Sequence, residues 1–212
     1  DWEDFTENEI SDILKQIHNW KAPGPDKLQN FWLKHFTAAH QAITRTFNDI
    51  IKNPKTVPDW LTTGTTFLVP KNKSTKKAKN YRPITCLPTM YKIMTAAISN
   101  RMYTHLMHHN IFPCEQRGCK KSSKGCKDLL LINKLIVWQA KKQKKELSMA
   151  WIDYKKAFDS VPHSWIVEAM TIYRINPVII DFVTNTMKKW QTEMWLYFKE
   201  GHLKTKKIDL SR

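Results

Sequence analysis

Acidic side chains are scarce in this chain. There are 19 against 35 lysines and arginines, and the +16 surplus must repel itself unless an anion neutralises it. Nucleic acid is the partner that fits. The cysteines are few, and Cys86, Cys114, Cys119 and Cys126 lack the paired close spacing of a zinc ribbon or finger. His108 and His109 upstream do not repair that spacing. No signal peptide precedes the cysteines, so reduced thiols in a cell interior are expected. No apolar run approaches the roughly 20 residues of a membrane span, because stretches such as Leu129 to Ile132 soon meet charge, and no membrane partner is expected. Internal repeats and low-complexity linkers are also missing. The 212 residues suffice for one large domain or two small ones with a sizeable core. With no leading methionine and no closing element at Arg212, the chain reads as an excerpt of a longer polypeptide.

The basic residues come in bursts: Lys71 to Lys79, Lys120 to Lys127, Lys141 to Lys145 and Lys204 to Lys207. One burst alone is ordinarily a solvated face, whereas several together point to a surface that tracks phosphates. Between them, Thr6 followed by Glu9 is a capping box, and Ile10, Ile13, Leu14, Ile17 and Trp20 recur at helical spacing. That predicts a helix from about Thr6 to Trp20. After the turn Ala22-Pro23-Gly24-Pro25-Asp26, a longer amphipathic helix is expected from Leu28 to Ile50, its aromatic stripe facing the core. Thr65 to Pro70 and Tyr81 to Leu87 read as the two strands of a hairpin with the first lysine burst at its tip, and Pro83 confines the second to an edge or its start. Helices are expected over Thr89 to His108 and Lys127 to Lys145, a strand over Leu147 to Asp153, and a helix near Pro162. Another helix opens at Asn176-Pro177, and Thr192 to Lys199 with Lys204 to Leu210 read as a hairpin turning at Glu200-Gly201.

The strand over Leu147 to Asp153 ends on a carboxylate and turns at once into Tyr154-Lys155-Lys156-Ala157-Phe158-Asp159. Such a tip can offer Asp153 to a hard cation shared with a substrate phosphate, or merely cap the next turn. Three segments decide between these readings by resemblance: Lys21-Ala22-Pro23-Gly24-Pro25-Asp26, Asn80-Tyr81-Arg82-Pro83-Ile84, and Ile152 to Val161. In this order and spacing they resemble the reverse transcriptase of non-LTR, LINE-like retrotransposons over nearly the whole chain.

The resemblance implies an α+β right-hand polymerase fold, with helix-rich fingers carrying a β-hairpin over residues 1–146. An incomplete antiparallel palm sheet would occupy 147–212, truncated before the second aspartate motif. It implies RNA-directed DNA polymerisation, with RNA template, DNA primer and deoxynucleoside triphosphates as partners. Two Mg²⁺ ions would serve the complete enzyme, in the nucleus and cytoplasm of the host cell. Asp153 then matches the first catalytic aspartate and metal ligand, and Tyr154 lies next to the metals. Phe158 matches either the gate that crowds a ribose 2′-hydroxyl or a core aromatic. Lys71 and Arg82 match the triphosphate-binding pair. Arg117, Lys120, Lys121 and Lys124 match the segment that touches the template, where Cys119 replaces an aromatic. The family's paired-aspartate hairpin does not occur up to Arg212, so these 212 residues alone are expected to bind nucleic acid without polymerising. The alternative is a catalytically inactive remnant that binds RNA or a hybrid duplex.

Overall fold

The computed structural model describes residues 2–71, 77–154, 160–198 and 200–210. Eight helices and five strands are described: α1 Glu7–Gln16, α2 Asn30–His35, α3 His40–Lys52, α4 Asp59–Thr62, β1 Thr63–Pro70, β2 Tyr81–Cys86, α5 Thr89–His108, α6 Cys126–Lys142, α7 His163–Ile172, α8 Pro177–Met187, β3 Gln191–Phe198, β4 Gly201–Lys204 and β5 Ile208–Asp209. The mixture of helix and sheet is an α+β fold. The chain forms two compact units, one of Asp1–Thr104 with Pro162–Arg212 and the other of His105–Val161.

In the first unit, Glu9 N–H donates to Thr6 Oγ1 at 3.2 Å and Thr6 N–H donates to Glu9 Oε2 at 2.8 Å, so the capping box opens α1 as its sequence requires. Ile10, Ile13 and Leu14 supply the buried face. The helix stops at Gln16 rather than Trp20, where Ile17 turns to an extended backbone, and the carbonyls that follow are met by side chain and backbone of the next helix. Asn30 Nδ2 donates to His18 O at 2.7 Å and Phe31 N–H to Asn19 O at 3.2 Å. Trp20, freed from the helix, stacks on Phe31 with centroids 5.0 Å apart.

The single helix expected from Leu28 to Ile50 is broken at Phe36 into α2, a 3₁₀ turn at Thr37–Ala39 and α3. The cause is His40, a buried side chain whose Nε2 bonds Leu33 O at 2.8 Å while Nδ1 bonds Ser11 Oγ at 2.9 Å. The ring takes the carbonyl that a continuing helix would offer to the N–H four residues on. Part of the aromatic stripe therefore leaves the core, and Trp32 and Phe36 are exposed.

The sheet runs β2-β1-β3-β4, with β5 also paired to β3. β1 and β2 form the expected antiparallel hairpin, and β2 with Pro83 is an edge strand. The pairing of β1 with β3 is parallel and joins distant parts of the chain. It is tied on the inner face by Thr66 Oγ1, which bonds both Thr85 Oγ1 and Thr192 Oγ1 at 2.7 Å. Thr66 and Thr192 are 3% and 2% exposed, so these hydroxyls satisfy one another where water does not reach. At the other helical end, Asn176 Oδ1 accepts from Val178 N–H at 3.0 Å with Pro177 in the first turn of α8.

The second unit departs from expectation. Residues 147–153 form no strand; their backbone has no ladder partner among the described residues, and strand propensity without a partner leaves irregular chain. The strand expected over Leu147 to Asp153 is thus corrected, and the sheet described lies in the first unit. α6 forms as expected, but no residue along it is buried, and Leu130, Leu131, Leu135 and Trp138 stand exposed.

Candidate nucleic-acid interface

In the first unit, the β1–β2 hairpin carries Lys71 and Arg82. Its register sets Leu68 against Pro83, Val69 against Arg82 and Pro70 against Tyr81. Lys71 N–H then donates to Asn80 O at 2.7 Å, which carries the pairing one step further. Because side chains alternate along a strand, Lys71 and Arg82 emerge on the same face as diagonal neighbours, a relation worth about 7–8 Å between positions. Lys71 Nζ donates to Lys79 O at 3.1 Å, which steadies the ammonium at the base of the hairpin tip. Two like charges so placed oppose each other until an anion enters between them. A guanidinium that grips oxygens in pairs and an ammonium that acts as a point charge suit a polyphosphate.

The hairpin depends on the turn upstream. Gly24 is buried, and a Cβ there would collide with the backbone of Leu87 and Pro88, the link from β2 to α5. Asp26 Oδ2 accepts from Thr89 N–H at 2.7 Å at the start of α5, Thr89 Oγ1 donates to Leu28 O at 2.7 Å, and Lys92 Nζ donates to Ala22 O at 3.1 Å. The segment from Ala22 to Asp26 is therefore a clamp that holds α5 where β2 delivers it. Its sequence signal was present as a Pro-Gly-Pro-Asp turn, but the partner it clamps lies some sixty residues away and has no local signature.

In the second unit, the segment from Phe112 to Lys124 gathers the expected template contacts. Lys120 Nζ stands 5.9 Å from the Phe112 ring centroid. Arg117 is half-buried, with its Nε enclosed and without an acceptor. The Cys114 side chain, hydrogen-bonded to Glu115, holds that carboxyl below the usual carboxylate range, and the backbone and the charges of Arg117 and Lys120 act in the same direction. Lys121 and Lys124 are exposed in the same loop, which closes through Ser123 N–H to Lys120 O at 3.3 Å and Gly125 N–H to Ser123 Oγ at 3.0 Å.

Asp153 and Tyr154 are exposed at the end of the irregular stretch, beside Ile152 at 82% exposure. Phe158 and Asp159 lie outside the described residues. The Asp153 carboxylate is the oxygen donor that Mg²⁺ prefers, but one carboxylate does not hold two ions. Among the described residues no three His, Cys, Asp or Glu side chains gather into a metal group, so the residues described do not amount to a two-metal site. The four cysteines are all free, and no helix among the described residues is long and apolar enough to cross a membrane.

Residues 69–204, which include Lys71, Arg82, the basic loop and Asp153, match the family model for reverse transcriptase (RNA-dependent DNA polymerase). The chain belongs to the reverse transcriptase family. Its relatives include the transposon TX1 uncharacterized 149 kDa protein of Xenopus laevis, 26% identical over 184 residues that make up 84% of this chain and 14% of the relative. The Pol polyprotein of the type-2 retrotransposable element R2DM of Drosophila melanogaster is 24% identical over 193 residues, covering 91% of this chain and 17% of the relative. The probable RNA-directed DNA polymerase from transposon BS of the same organism is 25% identical over 160 residues, 75% of this chain and 18% of the relative. The reverse transcriptase segment described here thus spans less than a fifth of the length of each of these three relatives.

Proposed function

We propose that the chain is the fingers, over 1–146, and the start of the palm, over 147–212, of a right-hand RNA-directed DNA polymerase from a non-LTR retrotransposon. The observation that carries the reading is the β1–β2 pairing that sets Lys71 and Arg82 on one face, both residues lying within the span that matches the reverse transcriptase family. On this reading the pair holds the triphosphate of an incoming deoxynucleotide, with the backbone of Tyr154 next to the metals and Phe158 against the sugar. Arg117, Lys120, Lys121 and Lys124 take phosphates of the RNA template and its DNA primer. Mg²⁺ at Asp153 is carried by family membership, and the remaining ligands of a metal pair are not supplied by the described residues. The parent protein would work inside the cell, in nucleus and cytoplasm.

The test is primer extension on an RNA template by the full-length product that contains this chain. Asp153→Ala is expected to remove nearly all extension and leave template–primer binding intact. Arg82→Ala is expected to raise the KM for deoxynucleotides. An exposed Asp153 with no metal-binding group of side chains around it among the described residues also suits a second reading, an inactive remnant that binds RNA or hybrid duplexes through phosphates. In that case the unsubstituted product extends no primer and Asp153→Ala changes nothing measurable. Loss of binding together with activity would count against both.

A further inference from the structure

One face of the sheet carries a row of rings that the hairpin chemistry does not use. Phe67 on β1 stands beside Trp195 on β3, and across the β3–β4 pair Tyr197 faces His202 and Trp195 faces Lys204. The rings overlap as the register requires. Phe67 and Tyr197 stack at 6.0 Å between centroids, Trp195 and Tyr197 at 6.0 Å, and Trp195 and His202 at 4.9 Å with planes only 15° apart. Lys204 Nζ lies 5.4 Å from the Trp195 centroid, and Glu193 on the same face is paired with it at 3.7 Å. This side of the sheet is open at its β3–β4 end, where Tyr197 is 60% exposed and His202 is exposed, while Phe67 and Trp195 are half-buried. The register places Arg82 on the same side, two strands away.

Rings assembled to close a core would be covered; Tyr197 and His202 are left open beside half-buried Trp195. A nucleobase has an apolar face to lay on an open ring, and the phosphate that follows it needs a cation within reach. In a duplex the base faces are already stacked inside the helix, so only a strand without its complement can use the rings. We propose that this face is a stacking platform for an unpaired nucleic-acid strand, with bases on Tyr197 and His202 beside Trp195 and phosphates on Lys204 and Arg82. The proposal rests on the nucleic-acid reading above and adds which form of the polymer this surface takes.

The experiment uses the 212-residue chain and labelled oligouridylate, oligothymidylate and an RNA–DNA hybrid of about 12 units, within the usual span of one single-strand site. Binding is followed by fluorescence anisotropy at one fixed salt concentration. Tyr197→Ala is expected to weaken both single strands about tenfold and leave the hybrid unchanged, while Tyr197→Phe, which keeps the ring, binds as the parent does. His202→Ala, at an exposed position, is expected to act in the same direction. A matching loss on oligouridylate and oligothymidylate assigns recognition to the base face; a loss confined to oligouridylate adds a contact to the ribose, and either supports the platform. Unchanged single-strand binding by both alanine variants overturns it and leaves the face to a protein partner. An equal loss on single strands and hybrid also overturns it, while the phosphate-binding reading survives. If the parent chain binds none of the three probes, both readings fall.

Discussion

Arg101 shows how much one side chain can gather. Its Nε and Nη2 donate to the two oxygens of Glu9 at 2.9 Å each, its guanidinium lies 4.8 Å from the Trp2 centroid and 4.4 Å from that of Phe5, and it also donates to the carbonyls of Glu3 and Asp4. The Arg101 hydrogen bond holds the Glu9 carboxyl below its ordinary value of 4.5, with partial burial opposing it and the Thr6 backbone bond adding to it. A carboxyl lowered on folding contributes stability that is present above its unfolded pKa and is lost as pH falls through the folded one. Acid titration of stability by circular dichroism should therefore show a component below pH 4.5 that Glu9→Gln removes. An unchanged acid profile in Glu9→Gln would contradict the pairing. Because both side chains are partly exposed, solvent screens the pair and its net worth is modest. Gly24 makes the opposite case, an absent side chain: Gly24→Ala must push Leu87 and Pro88 apart, at a cost of about 1–3 kcal/mol in chemical denaturation. A variant as stable as the parent would show that the link yields freely.

Among the elements, α5 is the one its own sequence described best, and Thr89–His108 is its observed extent. Its start is nonetheless held from a distance, by the Asp26 carboxylate on Thr89 N–H. A carboxylate at a helix N-terminus answers both an unpaired N–H and the positive end of the helix dipole. Asp26→Ala should lower the melting temperature and stability by about 1 kcal/mol, with Asp26→Asn losing less because an amide oxygen still accepts. Equal losses for the two would mean that charge, not the hydrogen bond, does the capping. The capping box of α1, the Asn176-Pro177 start of α8 and both hairpins were legible for a common reason: each is written in residues within a few positions of one another. The break at Phe36 was not, because it depends on His40 reaching the Leu33 carbonyl and Ser11 of another segment.

For the whole molecule, charge sets the expectation. With +16 overall, affinity for an RNA template paired to a DNA primer should fall steeply with added salt. Each phosphate neutralised on a B-form duplex contributes a slope of about 0.9 in a log–log plot, so several lysines in contact give a slope of several units. A flat response in a filter-binding titration would remove the case for a basic interface. The amino-acid sequence by itself determined the basic character, most helix starts, the two hairpins and the motifs that mark a reverse transcriptase, since all of these reside in composition or in short-range pattern. Only the tertiary structure decided that β1 pairs in parallel with β3 through Thr66 and Thr192, that the Ala22–Asp26 turn clamps α5, and that residues 147–153 find no strand partner among the described residues. Pairing and burial between distant segments carry no local signal: a threonine, a glycine or an apolar run takes its role only from what the rest of the chain brings against it.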